Sequence, residues 1–159
     1  MLLRTHTLFN AGVLSALFYL FSPHSLFVFL AFALSWLSNT LIDRLGHEWK
    51  GEYLSRTPRT HTPTRSAFWG ALSSLVIVFP LFFFGVRSAP LLLFLGLLGA
   101  LSGLLHVALD SFTERGIYVK RGSVWRRWRL AGYRYDNPIA NALFSGAGIT
   151  LILLVLTQV

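Results

Sequence analysis

The sequence contains no cysteine, which excludes disulfides and thiolate ligands; any bound metal must be held by nitrogen and oxygen. Charge is also scarce. Only 13% of the 159 residues are Asp, Glu, Lys or Arg, and just six are acidic. A soluble domain carries roughly a quarter of its residues charged to cover its surface, so a soluble globule is excluded. What fills the chain is apolar: 54% hydrophobic residues and a mean hydropathy of +0.60. The length is that of one domain. A formal charge of +8 and a pI near 10.9 invite a nucleic-acid reading. In so apolar a chain, however, basic loops set topology and meet anionic headgroups. Membrane lipid is the expected partner and nucleic acid is not.

A span needs roughly 20 mostly apolar residues. Five segments qualify, over residues 5–21, 25–42, 67–86, 91–112 and 138–157. They predict an all-α integral membrane bundle of five transmembrane helices in a single domain. Arg4 before an apolar run has the look of a signal peptide, but no small-residue cleavage motif follows, and the segment is read as a retained helix. Pro80 predicts a kink in the third span, and Asn137-Pro138 suits the first turn of the fifth. Alternating spans put the N-terminus and the polar loops 43–66 and 113–136 on one side, with thirteen of the fourteen basic residues; Arg87 alone is opposite. By the positive-inside rule that side is cytoplasmic, in a multi-pass protein of the cell membrane.

The other ionisable groups segregate in the same way, which topology does not require. All six acids lie on the crowded side, with His6, His47, His61 and His106; His24 alone sits in a far turn. In the fourth span His106 and Asp110 are four residues apart and share a helix face. Gly96, Gly99 and Gly103 fall in the same arc of roughly 80°. Gly99 and Gly103 form a small-xxx-small pair, so this face packs on protein, within the chain or between chains of a homo-oligomer. A histidine and a carboxylate turned into a bundle point to function. His6 with Asn10, Asn39 with Asp43, and Asn137 with Asn141 repeat the four-residue spacing at other span ends. The third span carries no such pair and reads as scaffold.

These residues suggest one shared metal site with His6, Asp43, His47, His61, His106 and Asp110 as ligands. Asn10, Asn39 and Thr60 would orient them. Imidazole and carboxylate without sulfur suit a divalent metal: zinc first, with manganese or iron as alternatives. Six ligands exceed one tetrahedral ion and suffice for two sharing a carboxylate, so one ion or two stays open. Asp43 or Glu48 would serve as the catalytic base. Arg56, Arg59 and Arg65 would contact a substrate phosphate. The segment 120–134, with Trp125 and Trp128 among arginines, reads as an interfacial anchor.

Several motifs together resemble a known family. Thr5-His6-Thr7-Leu8-Phe9 heads the first span, and an aspartate closes the second. Arg59-Thr60-His61-Thr62 lies in a basic loop, and Leu105-His106-Val107-Ala108-Leu109-Asp110 is followed by Thr113 and Gly116. This pattern is similar to the YdjM-type membrane-bound metal-dependent hydrolases, and closer to a related archaeal family of unknown function. The resemblance spans residues 4–121. It implies that His6, Asp43, His61, His106 and Asp110 occupy the ligand positions. Two departures stand out: the Asp-x-Asp-His run is opened into Asp43-Arg44-Leu45-Gly46-His47, and Arg56 replaces a histidine. The expected function is hydrolysis of an ester or phosphoester, of a lipid or lipid-linked molecule, at the cytoplasmic interface. The rival readings are a structural metal staple and a metal or proton transporter. The transporter reading is weakened by the nearly featureless far halves of the spans.

Overall fold

The computed structural model describes residues 1–158. Five helices form the body: α1 (Leu3–Phe21), α2 (Leu26–Gly46), α3 (Pro63–Phe83), α4 (Ala89–Ser111) and α5 (Pro138–Leu156). At 19 to 23 residues they measure about 28–35 Å, the thickness of a bilayer core. Four of them, α2 to α5, are long and apolar enough to cross a membrane. The least apolar, α1, carries Arg4, Thr5, His6, Thr7 and Asn10 in its first turns and packs against α2, α4 and α5. Outward faces bear Phe29, Phe32 and Trp36 on α2, Phe68 and Phe79 on α3, and Leu143 and Leu153 on α5, all exposed. Such continuous apolar surface belongs in lipid.

Three helix boundaries depart from the sequence reading, each for a local reason. The second helix runs on to Gly46, where the backbone N–H of His47 still bonds to the Asp43 carbonyl, so Asp43 is helical rather than in a loop. The third begins at Pro63, because Thr62 caps it by accepting a hydrogen bond from the Arg65 N–H. The fourth begins at Ala89, which takes Pro90 into the first turn. Pro80 lies within α3.

The two polar loops are not irregular. Each folds into an antiparallel hairpin: β1 (His47–Lys50) with β2 (Tyr53–Arg56), and β3 (Ile117–Arg121) with β4 (Val124–Trp128). Lys50 pairs with Tyr53 and Arg121 with Val124, so both turns have two residues. Gly51 and Gly122 head those turns at φ 64° and 60°, the left-handed region that a glycine-first hairpin turn demands. The segment expected to be an interfacial anchor is therefore largely a hairpin, which hydrogen-bonds to the rest through Tyr118 N–H and the His61 carbonyl.

The glycines of α4 serve the inside of the chain. A Cβ on Gly103 would collide with the Ser66 carbonyl, and one on Gly99 with that of Gly70, so α3 and α4 meet backbone to backbone. The third helix, which carries none of the polar pairs, is held close to α4 by this contact. Gly96 meets nothing and takes no part in this contact. Away from the loops, Leu14, Phe18, Ala31, Leu34, Leu95 and Leu98 form an apolar core.

Candidate metal centre

The buried polar residues collect at the hairpin end of the bundle. Asp43 ends α2, His61 precedes α3, and His106 and Asp110 occupy the last two turns of α4. His61, His106 and Asp110 are fully buried, and Asp43 keeps 24% of its side chain exposed. Asp43 Oδ1 lies 3.5 Å from His61 Nε2 and 3.4 Å from His106 Nε2. Asp110 Oδ2 lies 3.6 Å and 3.3 Å from the same two nitrogens. An ion with tetrahedral ligands at 2.0–2.1 Å spaces them about 3.3–3.4 Å apart.

Hydrogen bonds fix which imidazole nitrogen is bare. Thr60 donates its hydroxyl proton to the Ile42 carbonyl at 2.8 Å, so its oxygen accepts from His61 Nδ1–H at 3.0 Å. The Asn39 amide donates to Ser35 Oγ at 3.2 Å, which turns its oxygen to His106 Nδ1–H at 2.9 Å. Both rings then present Nε2 lone pairs to the centre. His61 Nε2, His106 Nε2 and Asp110 Oδ2 are buried with no hydrogen-bond partner among the described residues. Three orphaned acceptors in one place are costly unless a cation joins them. Burial pushes the His61 imidazole down to about 4, against the pull of Asp43 and Asp110, so it is neutral near pH 7 and free to ligate. The residues fit a divalent metal.

Two close approaches make this geometry possible. A Cβ on Gly46 would strike Thr60 Oγ1 and the His61 ring, so only glycine lets that loop close over the end of α2. Arg56, 6% exposed, extends its guanidinium to Asp110 Oδ1 at 2.6 Å, Thr113 Oγ1 at 2.8 Å and the Gly116 carbonyl at 3.1 Å. Gly116 at φ 57° leaves room for the Trp128 carbonyl. These supporting roles of Gly46, Thr113 and Gly116 were not read from the sequence, because they depend on contacts between distant segments.

The remaining candidates divide. His6 Nε2 donates to Asp110 Oδ1 at 3.0 Å, and its ring stacks on His106 at 4.1 Å. Asn10 donates to Asn39 Oδ1 at 3.3 Å and to the Ser102 carbonyl at 2.8 Å, behind the histidines. His47 lies beside the cluster, its Nδ1–H donating to the Asp43 carbonyl at 2.7 Å. Glu48 is not brought to the centre; it pairs with Arg59 at 2.9 Å, and Arg59 is 70% exposed. Arg65 donates to the Pro58 carbonyl and lies over the Trp125 ring at 4.9 Å. Asn137 caps α5, and Asn141 accepts from Thr5 Oγ1 at 2.6 Å, tying α5 to α1 away from the centre.

A cleft of about 460 Å³ opens beside this cluster. Asp43, His47 and Arg56 reach it, and Trp49, Tyr53 and Arg115 form part of its wall. Sequence reading did not single out Trp49, Tyr53 or Arg115.

A family model described as "Protein of unknown function (DUF1286)" matches residues 1–109. The chain belongs to that family. The matched segment carries α1 to α3 and α4 as far as Leu109, and so includes His6, Asp43, Arg56, His61 and His106 with their supporting Asn39 and Thr60, while Asp110 lies one residue beyond it. No curated protein and no solved structure matches the chain.

Proposed function

We propose that this protein is a membrane-embedded, metal-dependent hydrolase of an ester or phosphoester, with its site at the cytoplasmic interface. The observation that carries the reading is that Asp43 Oδ1 and Asp110 Oδ2 each lie 3.3–3.6 Å from both His61 Nε2 and His106 Nε2, three of these four atoms being buried with no hydrogen-bond partner among the described residues, at the edge of an open cleft. Asp43, His61, His106 and Asp110 would hold the ion, with zinc the first expectation for this nitrogen–oxygen set. When bound, such an ion supplies Lewis acidity, polarising an ester and acidifying water. The protein's own groups do the rest. His47 lines the cleft with Nδ1–H committed to a carbonyl, which leaves Nε2 to accept a proton. Arg115 offers an anionic headgroup a charge partner, beside the apolar surfaces of Trp49 and Tyr53. This pairing of charge and apolar wall favours a lipid or lipid-linked phosphoester. The resemblance to the YdjM-type hydrolases supports the same reading, and the excess of basic residues on the hairpin side supports a cytoplasmic orientation.

A second reading has its own support. Four protein ligands with no position left open are also the pattern of a closed, structural site. Asp43 separates the two, being the one partly exposed ligand and facing the cleft. The test begins with elemental analysis of detergent-purified protein, wild type beside His61→Ala and His106→Ala. Stoichiometric metal lost in both variants supports the site, and its absence after reloading defeats it. Wild-type protein is then assayed on phosphatidic acid vesicles and on a soluble aryl phosphate. Metal-dependent turnover favours the hydrolase, whereas bound metal without turnover or anion binding favours the staple.

A further inference from the structure

The two oxygens of Asp110 have unlike surroundings. Oδ2 is buried, has no donor among the described residues, and faces His61 and His106. Oδ1 is crowded with N–H groups: Arg56 Nη2 at 2.6 Å, the Met1 amino group at 2.7 Å and His6 Nε2 at 3.0 Å. A centre of two metals bridged by this carboxylate would need its second ion at Oδ1. That ion would have to displace a guanidinium held at two further points, Thr113 Oγ1 and the Gly116 carbonyl. Thr113 is itself anchored, its hydroxyl donating to the Asp110 carbonyl at 2.8 Å. Charge argues the same way. Asp43 and Asp110 neutralise one divalent ion; a second beside Arg56 would leave several positive charges buried without partners.

His6 is placed by the same reasoning. A carboxylate oxygen only accepts, so His6 Nε2 carries the proton, and its contact with Asp110 is that of a donor. Its other nitrogen, Nδ1, is buried with no hydrogen-bond partner among the described residues, and its ring lies flat on His106 at an interplanar angle of 16°. This is how an outer residue orients ligands.

We infer that the site takes one divalent ion, on Asp43, His61, His106 and Asp110 Oδ2, and that Arg56 stands as a fixed cation where the second ion of a two-metal centre would sit. His6 is a positioning residue acting through Asp110 and His106. The inference rests on the metal reading of the preceding section and specifies its stoichiometry and ligand set.

The test uses the full chain in detergent, loaded with Co²⁺ alone, freed of excess by gel filtration, and read by elemental analysis and visible absorption. One cobalt per wild-type chain is expected, with the intense bands of a four-coordinate ion. His6→Gln keeps one cobalt and those bands with an affinity about 10-fold weaker. His106→Gln retains less than a tenth of the wild-type metal. Two ions per wild-type chain, or loss of the ion in a His6→Gln variant that remains helical and monodisperse, overturns the inference and leaves the hydrolase proposal standing. No ion in wild type overturns both. The wild-type count decides the stoichiometry even where His6→Gln fails to fold.

Discussion

The two ends of the helix bundle are built on opposite principles. At one end Leu14, Phe18, Leu34 and Leu95 interlock, and Phe18 stacks on Phe27 and Phe21 on Phe94 at centroid distances of 5.0 and 4.5 Å. At the other end the buried volume is filled by histidine, asparagine, aspartate and one arginine, joined by hydrogen bonds. In lipid the hydrophobic effect does little to hold helices together, so the apolar end is held by close packing. The polar end has a desolvation cost at every group, and that cost is offset only where each partner is present. The expectation is a division of labour. Damage at the apolar end lowers stability alone, whereas damage at the polar end lowers stability and metal affinity together.

The strongest test of that division is Asp110→Ala. It leaves the Arg56 guanidinium buried with no acid, which costs about 3–5 kcal/mol for a broken buried pair. Thermal unfolding in detergent should show this even in metal-free protein. Combining it with Arg56→Met should recover more than half of the loss, since both charges are then gone. Without such recovery, the ion pair is not what stabilises this end.

Between the two ends, the α3–α4 contact offers a graded comparison. Gly103→Val forces a side chain against the Ser66 carbonyl and should destabilise by about 1–3 kcal/mol or more. Gly96→Ala, one face of the same helix with open space beside it, should be neutral or stabilise by about 0.5–1 kcal/mol. Equal effects from the two would mean that α4 does not pack on α3 through this face.

Next in size are effects on metal affinity. Gly46→Ala pushes Thr60 and His61 from their places, and Thr60→Val removes the acceptor of His61 Nδ1–H. Each should weaken metal binding about 10- to 100-fold, as loss of an orienting group does. Phe18→Leu, at the apolar end, should cost about 1 kcal/mol of stability and leave affinity unchanged. Competition with a chromophoric chelator gives the affinities. A Phe18→Leu variant that binds metal as poorly as Thr60→Val would erase the distinction between the ends.

How far the sequence announces these features follows from the range of the contacts involved. His106 and Asp110 declare themselves because both sit on one helix, where spacing of four and the nearby glycines reveal a shared inward face. The five helices are legible for the same reason: apolar runs are local. Arg56 and Asp110 are 54 residues apart, and nothing local says that an arginine in a basic loop folds inward to a carboxylate. The hairpins were missed because their strands are short and charged, although Lys50-Gly51-Glu52-Tyr53 and Arg121-Gly122-Ser123-Val124 carry a glycine-first two-residue turn. Hydropathy closes the second span at Ile42, where the polar stretch 43–66 begins, yet α2 continues through Asp43 and Arg44 to Gly46.

The smallest expected effect concerns Glu48, which by composition is as good a base as Asp43. In the structure the hairpin separates them. Asp43 stays at the end of α2 with Oδ1 among the histidines, while Glu48 pairs with Arg59 at the surface. An ion pair this exposed is worth about 0–1 kcal/mol, less at high salt. Glu48→Gln should therefore shift thermal unfolding barely and leave metal content and affinity at wild-type values, whereas Asp43→Asn should weaken the ion severely. A large loss of metal in Glu48→Gln would mean that β1 and β2 sit differently over the centre, with Glu48 and not Asp43 closing it on the cleft side.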